Sequence, residues 1–204
     1  MKRICEKSSK KYLPFIVLTS LMNIAQANDL SIDQNGQQGK IDLQISSSAN
    51  NVDVTVQQRG IENLLDASFD SNVTALIEQA GNFGVIDLKT QGGNNNHIDI
   101  NQLGDHNRLT GDYSGNSNTT NIDQAGSSNA LILDINGDSN NLNLTQEGSS
   151  NRADFMINGS HSNVDVSQSG GNNNIDVNLF NSNYSLNIIQ TGSGETITID
   201  NPKS

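Results

Sequence analysis

From Gln124 to Asn173 the chain reads QAGSSNALILDINGDSNNLNLTQEGSSNRADFMINGSHSNVDVSQSGGNN. The pattern Gln-x-Gly-x-x-Asn opens at Gln124, Gln146 and Gln168, 22 residues apart. Between these openings the residues alternate. Leu142, Leu144 and Gln146 fall on one face, with Asn143 and Thr145 on the other. After the next turn Ala153, Phe155 and Ile157 continue the first face, and Asp154 and Met156 lie opposite. Val164, Val166 and Gln168, then Ile175, Val177 and Leu179, repeat the scheme. Alternation at period two between turns rich in Gly and Asn predicts short strands, and no apolar face recurs at the helical period.

Working outward, Gln-x-Gly also occurs at Gln34, Gln58, Gln79, Gln102 and Gln190. The full motif stands at Gln58, Gln91, Gln102, Gln124, Gln146 and Gln168, and from Gln102 onward every step is 22 residues. Each step divides into two elevens. Tyr113-Ser114-Gly115 leads to Asn118 and Ile135-Asn136-Gly137 to Asn140, while Ile157-Asn158-Gly159 leads to Asn163, one residue later. Ile, Tyr or Leu179 replaces Gln in these second halves. Before Gln102 the steps are 24, 21 and 23 residues. Gln91 is out of phase with Ile86 and Leu88, so a one-residue bulge is expected between Thr90 and Asn96. Regular register is expected from about Ile98.

A unit of two short strands cannot bury its apolar face alone, whereas stacked units share a continuous core. The fold expected is all-β: a β-solenoid of about seven to eight 22-residue strand-turn-strand rungs, about 4.8 Å apart, becoming cross-β amyloid on assembly. In such a stack, equivalent amides lie above one another. Gln58, Asn63, Gln102, Asn107, Gln124, Asn129, Gln146, Asn151, Gln168, Asn173 and Gln190 are the residues expected to form amide ladders that hold rungs and subunits together. Asp154 and Asp176, 22 residues apart and facing outward, are expected to stack like charges and act as gatekeepers against premature assembly.

The 204 residues are 33% hydrophobic and 4% aromatic, without Trp, too little for a conventional compact core. The first 27 residues differ. Lys2, Arg3, Lys7, Lys10 and Lys11 precede the mostly apolar Leu13–Ile24, and Ala25-Gln26-Ala27 closes it, the order of a secretory signal peptide. The domain organisation expected is a signal peptide over 1–27, an irregular segment with a weak repeat over 28–50, and the repeat array over 51–204. Five of the 11 basic and one of the 22 acidic residues lie in the leader, which leaves −15 on the remainder. That charge argues against nucleic acid as a partner. The sole Cys, Cys5, is in the leader, so no disulfide or thiolate metal site is expected in the mature chain. No mature segment is long and apolar enough for a transmembrane helix.

The Gln, Gly and Asn spacing, the half-repeat eleven residues on, the leader and the Cys-free array together resemble the curlins, subunits of bacterial curli fibres. The likeness runs from Ser31 to about Asn201. It implies export through the periplasm and a dedicated outer-membrane pore with accessory proteins. It further implies polymerisation with itself and other curlin subunits into an extracellular, cell-surface amyloid that supports biofilm formation, cell adhesion and surface attachment. Both the major subunit and the minor nucleator are in view. QEGSSNRA at Gln146–Ala153 is similar to a nucleator, and the acidic charge to a major subunit. The apolar residues in the second halves depart from the family's preference for a second Gln or Asn.

No nucleophile motif or paired-carboxylate cleft appears, and His97, His106 and His161 occupy unrelated rung positions without ligand spacing. No catalytic role, cofactor or metal is therefore expected. The alternative reading is a monomeric secreted β-solenoid adhesin. A calcium-binding nonapeptide solenoid lacks its GGxGxD runs here, an ice-binding face lacks its threonines, and a β-helical polysaccharide enzyme would need longer rungs and a carboxylate cluster.

Overall fold

A computed structural model describes residues 4–6, 29–45, 51–69, 72–90 and 92–201. The signal-peptide expectation for 1–27 and the motif residue Gln91 lie outside the described residues, apart from a three-residue strand, β1 (Ile4–Glu6). Sixteen further strands follow as eight pairs: β2 (Asp29–Gln37) and β3 (Lys40–Ile45), β4 (Asp53–Ile61) and β5 (Leu64–Phe69), β6 (Val73–Asn82) and β7 (Val85–Thr90), β8 (Asn96–Leu103) and β9 (Arg108–Ser114), β10 (Thr119–Ser127) and β11 (Ala130–Asn136), β12 (Asn141–Ser149) and β13 (Arg152–Asn158), β14 (Asn163–Gly171) and β15 (Asn174–Leu179), β16 (Ser185–Ser193) and β17 (Thr196–Asn201).

The even-numbered strands pair in sequence order in one sheet, with β1 outside β2, and the odd-numbered strands from β3 to β17 pair in a second. Every pairing is parallel, as stacking of successive rungs requires. The molecule is an all-β solenoid, and no helix among the described residues is long and apolar enough to cross a membrane. Inward residues from the two sheets meet in one apolar core running the length of the stack, with Val54, Ile77, Ile100, Leu142 and Val164 from one sheet and Leu65, Leu88, Leu133, Phe155 and Val177 from the other. Alternation of buried and exposed positions along β12 and β13 follows the sequence pattern, Met156 facing outward at 37% exposure.

Side-chain size is traded between columns of this core. Tyr113 is fully buried, and its ring lies where a Cβ on Gly111 would stand, 2.7 Å from the ring edge. Burial pushes the Tyr113 phenol well up from its ordinary value, with Thr120 acting weakly against the shift.

The irregular first steps do not break register. Gln34, Gln58, Gln79 and Gln102 align as neighbours despite their unequal spacing. Ile45, Phe69, Thr90 and Tyr113 also align, and each lies eleven residues after its Gln. The length differences therefore fall entirely in the turns that lead from one rung to the next. In the third of these, Gly93 rather than Gly92 stacks on Gly115: a Cβ on Gly93 would come 2.0 Å from the Gly115 carbonyl oxygen, while Gly92 faces open space. The extra residue thus sits between Thr90 and Gly93, within the stretch where the bulge is expected. One sequence reading is corrected. Asn163 does not end a lengthened turn but begins β14 opposite Asn141, and Ser162 fills the turn's asparagine position. Ser can stand there because the essential bond is made by its backbone N–H, which donates to Asn140 Oδ1 at 3.0 Å.

Candidate assembly site: the amide ladder and the two ends of the stack

Each even-numbered strand carries its glutamine inward just before the glycine turn, so parallel in-register stacking places eight glutamines in one buried column. Nε2 of each donates to Oε1 of the next: Gln34 to Gln58 at 2.7 Å, Gln58 to Gln79 at 2.9 Å, Gln79 to Gln102 at 2.8 Å, Gln102 to Gln124 at 2.9 Å, Gln124 to Gln146 at 2.8 Å, Gln146 to Gln168 at 2.7 Å and Gln168 to Gln190 at 2.8 Å. From Gln102 onward the second Nε2 hydrogen reaches a backbone carbonyl of the preceding rung, such as Arg152 O from Gln168 at 3.1 Å. A buried amide costs little when its groups are paired in this way.

The asparagines work differently. Asn63, Asn107, Asn129, Asn151 and Asn173 make no Asn-to-Asn side-chain ladder. Each donates from Nδ2 to the carbonyl four residues back in its own turn and to the glycine carbonyl of the next rung, as Asn129 does to Ala125 O and Gly148 O, both at 3.1 Å. Each Oδ1 accepts the backbone N–H of the equivalent residue one rung on, such as Asn151 N to Asn129 Oδ1 at 3.1 Å. They are staples between a side chain and the neighbouring backbone. That role satisfies turn groups no strand ladder can reach. The glycine is required by proximity: a Cβ on Gly126, whose φ is +111°, would stand 1.9 Å from the Gly148 carbonyl oxygen.

Sequence reasoning missed a second row of staples. Asn96, Asn118 and Asn140 donate to the carbonyls of Gly115, Gly137 and Gly159 at 3.0, 2.8 and 2.7 Å. The signal was available, since Asn118 and Asn140 follow Tyr113 and Ile135 at the spacing that separates Asn from Gln in the main motif.

Asp154 and Asp176 are register neighbours on the outer face of the odd-strand sheet. Asp154 is paired with Arg152 at 2.9 Å, and Asp176 accepts from Asn178 Nδ2 at 3.2 Å. A longer aspartate stack lies nearer the N-terminus, where Asp42, Asp66 and Asp87 align on three consecutive rungs, flanked by Lys40–Asp42 and Lys89–Asp87 pairs at 3.8 Å. Asp112 and Asp134 form another stacked pair. Partial burial, and then repulsion from Asp112, raise the Asp134 carboxyl above the ordinary carboxylate range. At the corner, Asp138 is held below that range by hydrogen bonds from the Asn116 backbone and side chain. Of the histidines, His106 stacks on Phe83 with ring centroids 4.9 Å apart, His97 lies in β8, and His161 occupies a left-handed turn position.

The two ends of the stack are unlike. At the N-terminal end Gln34 Oε1 is buried without a hydrogen-bond partner. The outer edge of β2 carries β1, with Ile4 opposite Leu30 and Glu6 opposite Ile32, and β3 is the last strand of its sheet. At the C-terminal end β16 and β17 are the edges of both sheets, and Leu186, Ile197 and Ile199 are only partly buried. Gln190 keeps its bond to Asn174 O at 3.3 Å but, unlike the glutamines before it, has no following amide to receive its other hydrogen.

The family model of the curlin-associated repeat matches residues 115–148 and 137–178, two overlapping stretches that together span β10 to β15 and include Gln124, Gln146 and Gln168. No curated protein and no solved structure matches the chain.

Proposed function

We propose, on the match of residues 115–178 to the curlin-associated repeat, that the chain is a curlin and a secreted structural subunit of curli-type amyloid fibres. It polymerises outside the cell and supports biofilm formation, adhesion and surface attachment. On this reading residues 1–27 are a signal peptide, export runs through the periplasm and an outer-membrane pore, and the chain has no catalytic role.

The observation that carries the proposal is the complementarity of the two ends. The last rung placed on the first of another copy would set Leu186 over Leu30, Ile197 over Ile41 and Ile199 over Leu43, continuing the apolar columns. It would also bring the spare Gln190 N–H to the orphaned Gln34 Oε1, continuing the ladder across the junction. Unpaired sheet edges are templates for such addition, and a repeat stack is closed only by dedicated terminal rungs. The partly buried apolar residues of β16 and β17 do not form a polar outer face of that kind. On this reading the inward glutamines serve fold and fibre alike, and the stacked aspartates, Asp154 and Asp176 among them, restrain assembly before export.

The test is the behaviour of the chain from Asn28 to Ser204. Thioflavin T growth with a lag, and fibre reflections near 4.7 and 10 Å, are expected. A chain that remains monomeric and β-rich for days at high concentration would sink the fibre reading and leave a monomeric solenoid adhesin.

A further inference from the structure

The asparagine staple column of the turns that follow the glutamines fails at both ends of the stack, with a charged residue at one end and no side chain at the other. In the column of Asn63, Asn107, Asn129, Asn151 and Asn173, the last rung carries Glu195 and the first carries Gly39. Glu195 is exposed, and its backbone N–H donates the staple bond to Asn173 Oδ1 at 3.0 Å. A carboxylate in this column can accept hydrogen bonds but cannot donate to the next glycine carbonyl as asparagine does. Gly39 has no room for a side chain, since a Cβ there would lie 2.6 Å from the amides of both Gln34 and Gln58. A glycine nevertheless serves in this column: Gly84 donates its backbone N–H to Asn63 Oδ1 at 2.9 Å. The residue after Gly39 is Lys40, on the outer face at the corner, 48% exposed and only loosely paired with Asp42 at 3.8 Å.

Resting on the fibre reading above, we infer that the junction between copies is a specific ionic seam. The Glu195 carboxylate of one copy accepts the Gly39 N–H of the next and pairs with its Lys40 ammonium. The seam then has its own chemistry, because a carboxylate buried in the column needs a cation beside it where the internal rungs use neutral asparagine. The N-terminal edge is one that takes an added parallel strand: β1 lies on β2 in the register that Leu186 and Ile188 of a preceding copy would adopt.

Charge reversal separates this seam from general stacking. Elongation on self-seeds is measured by thioflavin T for the chain in the form that cells release, with monomer β-content checked by circular dichroism. E195K and K40E each place like charges at the junction and are expected to slow growth about tenfold or more, and the double reversal is expected to recover it to within about threefold. E195N restores the internal residue of the column, so in that background K40E should no longer slow growth. Wild-type rates for E195K and K40E, or a double reversal no better than either single one, would overturn the seam while leaving the fibre intact. Absence of fibres from the wild-type chain would instead remove the fibre reading itself, and the seam with it.

Discussion

The two rows of turns differ in what they tolerate. Turns that follow the glutamines keep one length from Gln34 to Gln168, so that each second-half inner residue lies eleven residues after its Gln. Turns that lead to the next rung absorb every irregular step. The first row is bounded by a buried amide and an asparagine whose Nδ2 serves two carbonyls at once. An added residue would strand those groups, and a buried polar group without its partner costs about 1–3 kcal/mol. The inner column of the second row holds Phe69, Thr90, Tyr113, Ile135, Ile157 and Leu179, and its asparagines serve one glycine carbonyl each. Apolar contact has no direction, so a residue can be looped out there while the column re-forms. Buried directional bonds fix the register, and apolar burial supplies most of the drive to stack.

The largest expected effect breaks this contrast directly. One alanine inserted between Gly126 and Ser127 should unseat the rungs on its C-terminal side and lower stability by several kcal/mol, on the order of two or three stranded buried groups. The same insertion between Gly137 and Asp138 should cost about 1–2 kcal/mol, because this second row already accommodates an extra residue near Gly92. Equal losses in urea unfolding of the two variants would show that both rows set register. Next in size, Gln146→Ala with Gln168→Ala removes three links of the ladder and leaves Gln124 Nε2 and Gln190 Oε1 facing voids. A loss of about 3–6 kcal/mol and slower fibre growth are expected, whereas Ile135→Val with Ile157→Val in the other row should cost about 1–3 kcal/mol together. Growth unchanged by the glutamine pair would remove the ladder from the assembly mechanism.

The smallest effect is one of pH. Asp134 has its folded carboxyl raised, so the folded state binds that proton more readily than the unfolded chain. Its contribution favours folding at pH below the ordinary carboxylate value and is lost as pH rises through the raised folded value. Asp134→Asn should therefore lift the melting temperature slightly at pH 7 and leave it unchanged near pH 3. Asp138, held low by Asn116, has the opposite sign: its contribution is present above the ordinary value and fades as pH falls through the lowered one. A lower melting temperature for Asp134→Asn at pH 7 would contradict the stacked repulsion from Asp112.

Much of this was legible in the chain. The step of 22 residues and the period-two alternation predicted strands, stacking and inward glutamines, because each is a repeated spacing of like residues. The regularity of the first rungs was not legible. Ile45, Phe69, Thr90 and Tyr113 share a column but no chemistry, so the constant eleven between each glutamine and its partner was hidden behind unequal glutamine steps. The asparagine staples were identified by residue but not by mechanism, since sequence cannot show that Asn129 Nδ2 points at Gly148 O rather than at the next amide. Ser162 escaped notice because a backbone N–H does the asparagine position's work there, and any residue supplies one.

All seven glutamine bonds run the same way along the stack, from lower to higher residue number. Aligned amide dipoles add, as peptide dipoles do along a helix, and each polarises the next. The ladder therefore has a vector, and a vector restricts symmetry. A twofold axis at either end would set donor against donor or acceptor against acceptor, so closed isologous dimers through the ends are disfavoured. What remains is the open, heterologous operation, a repeated screw or translation with no natural last member.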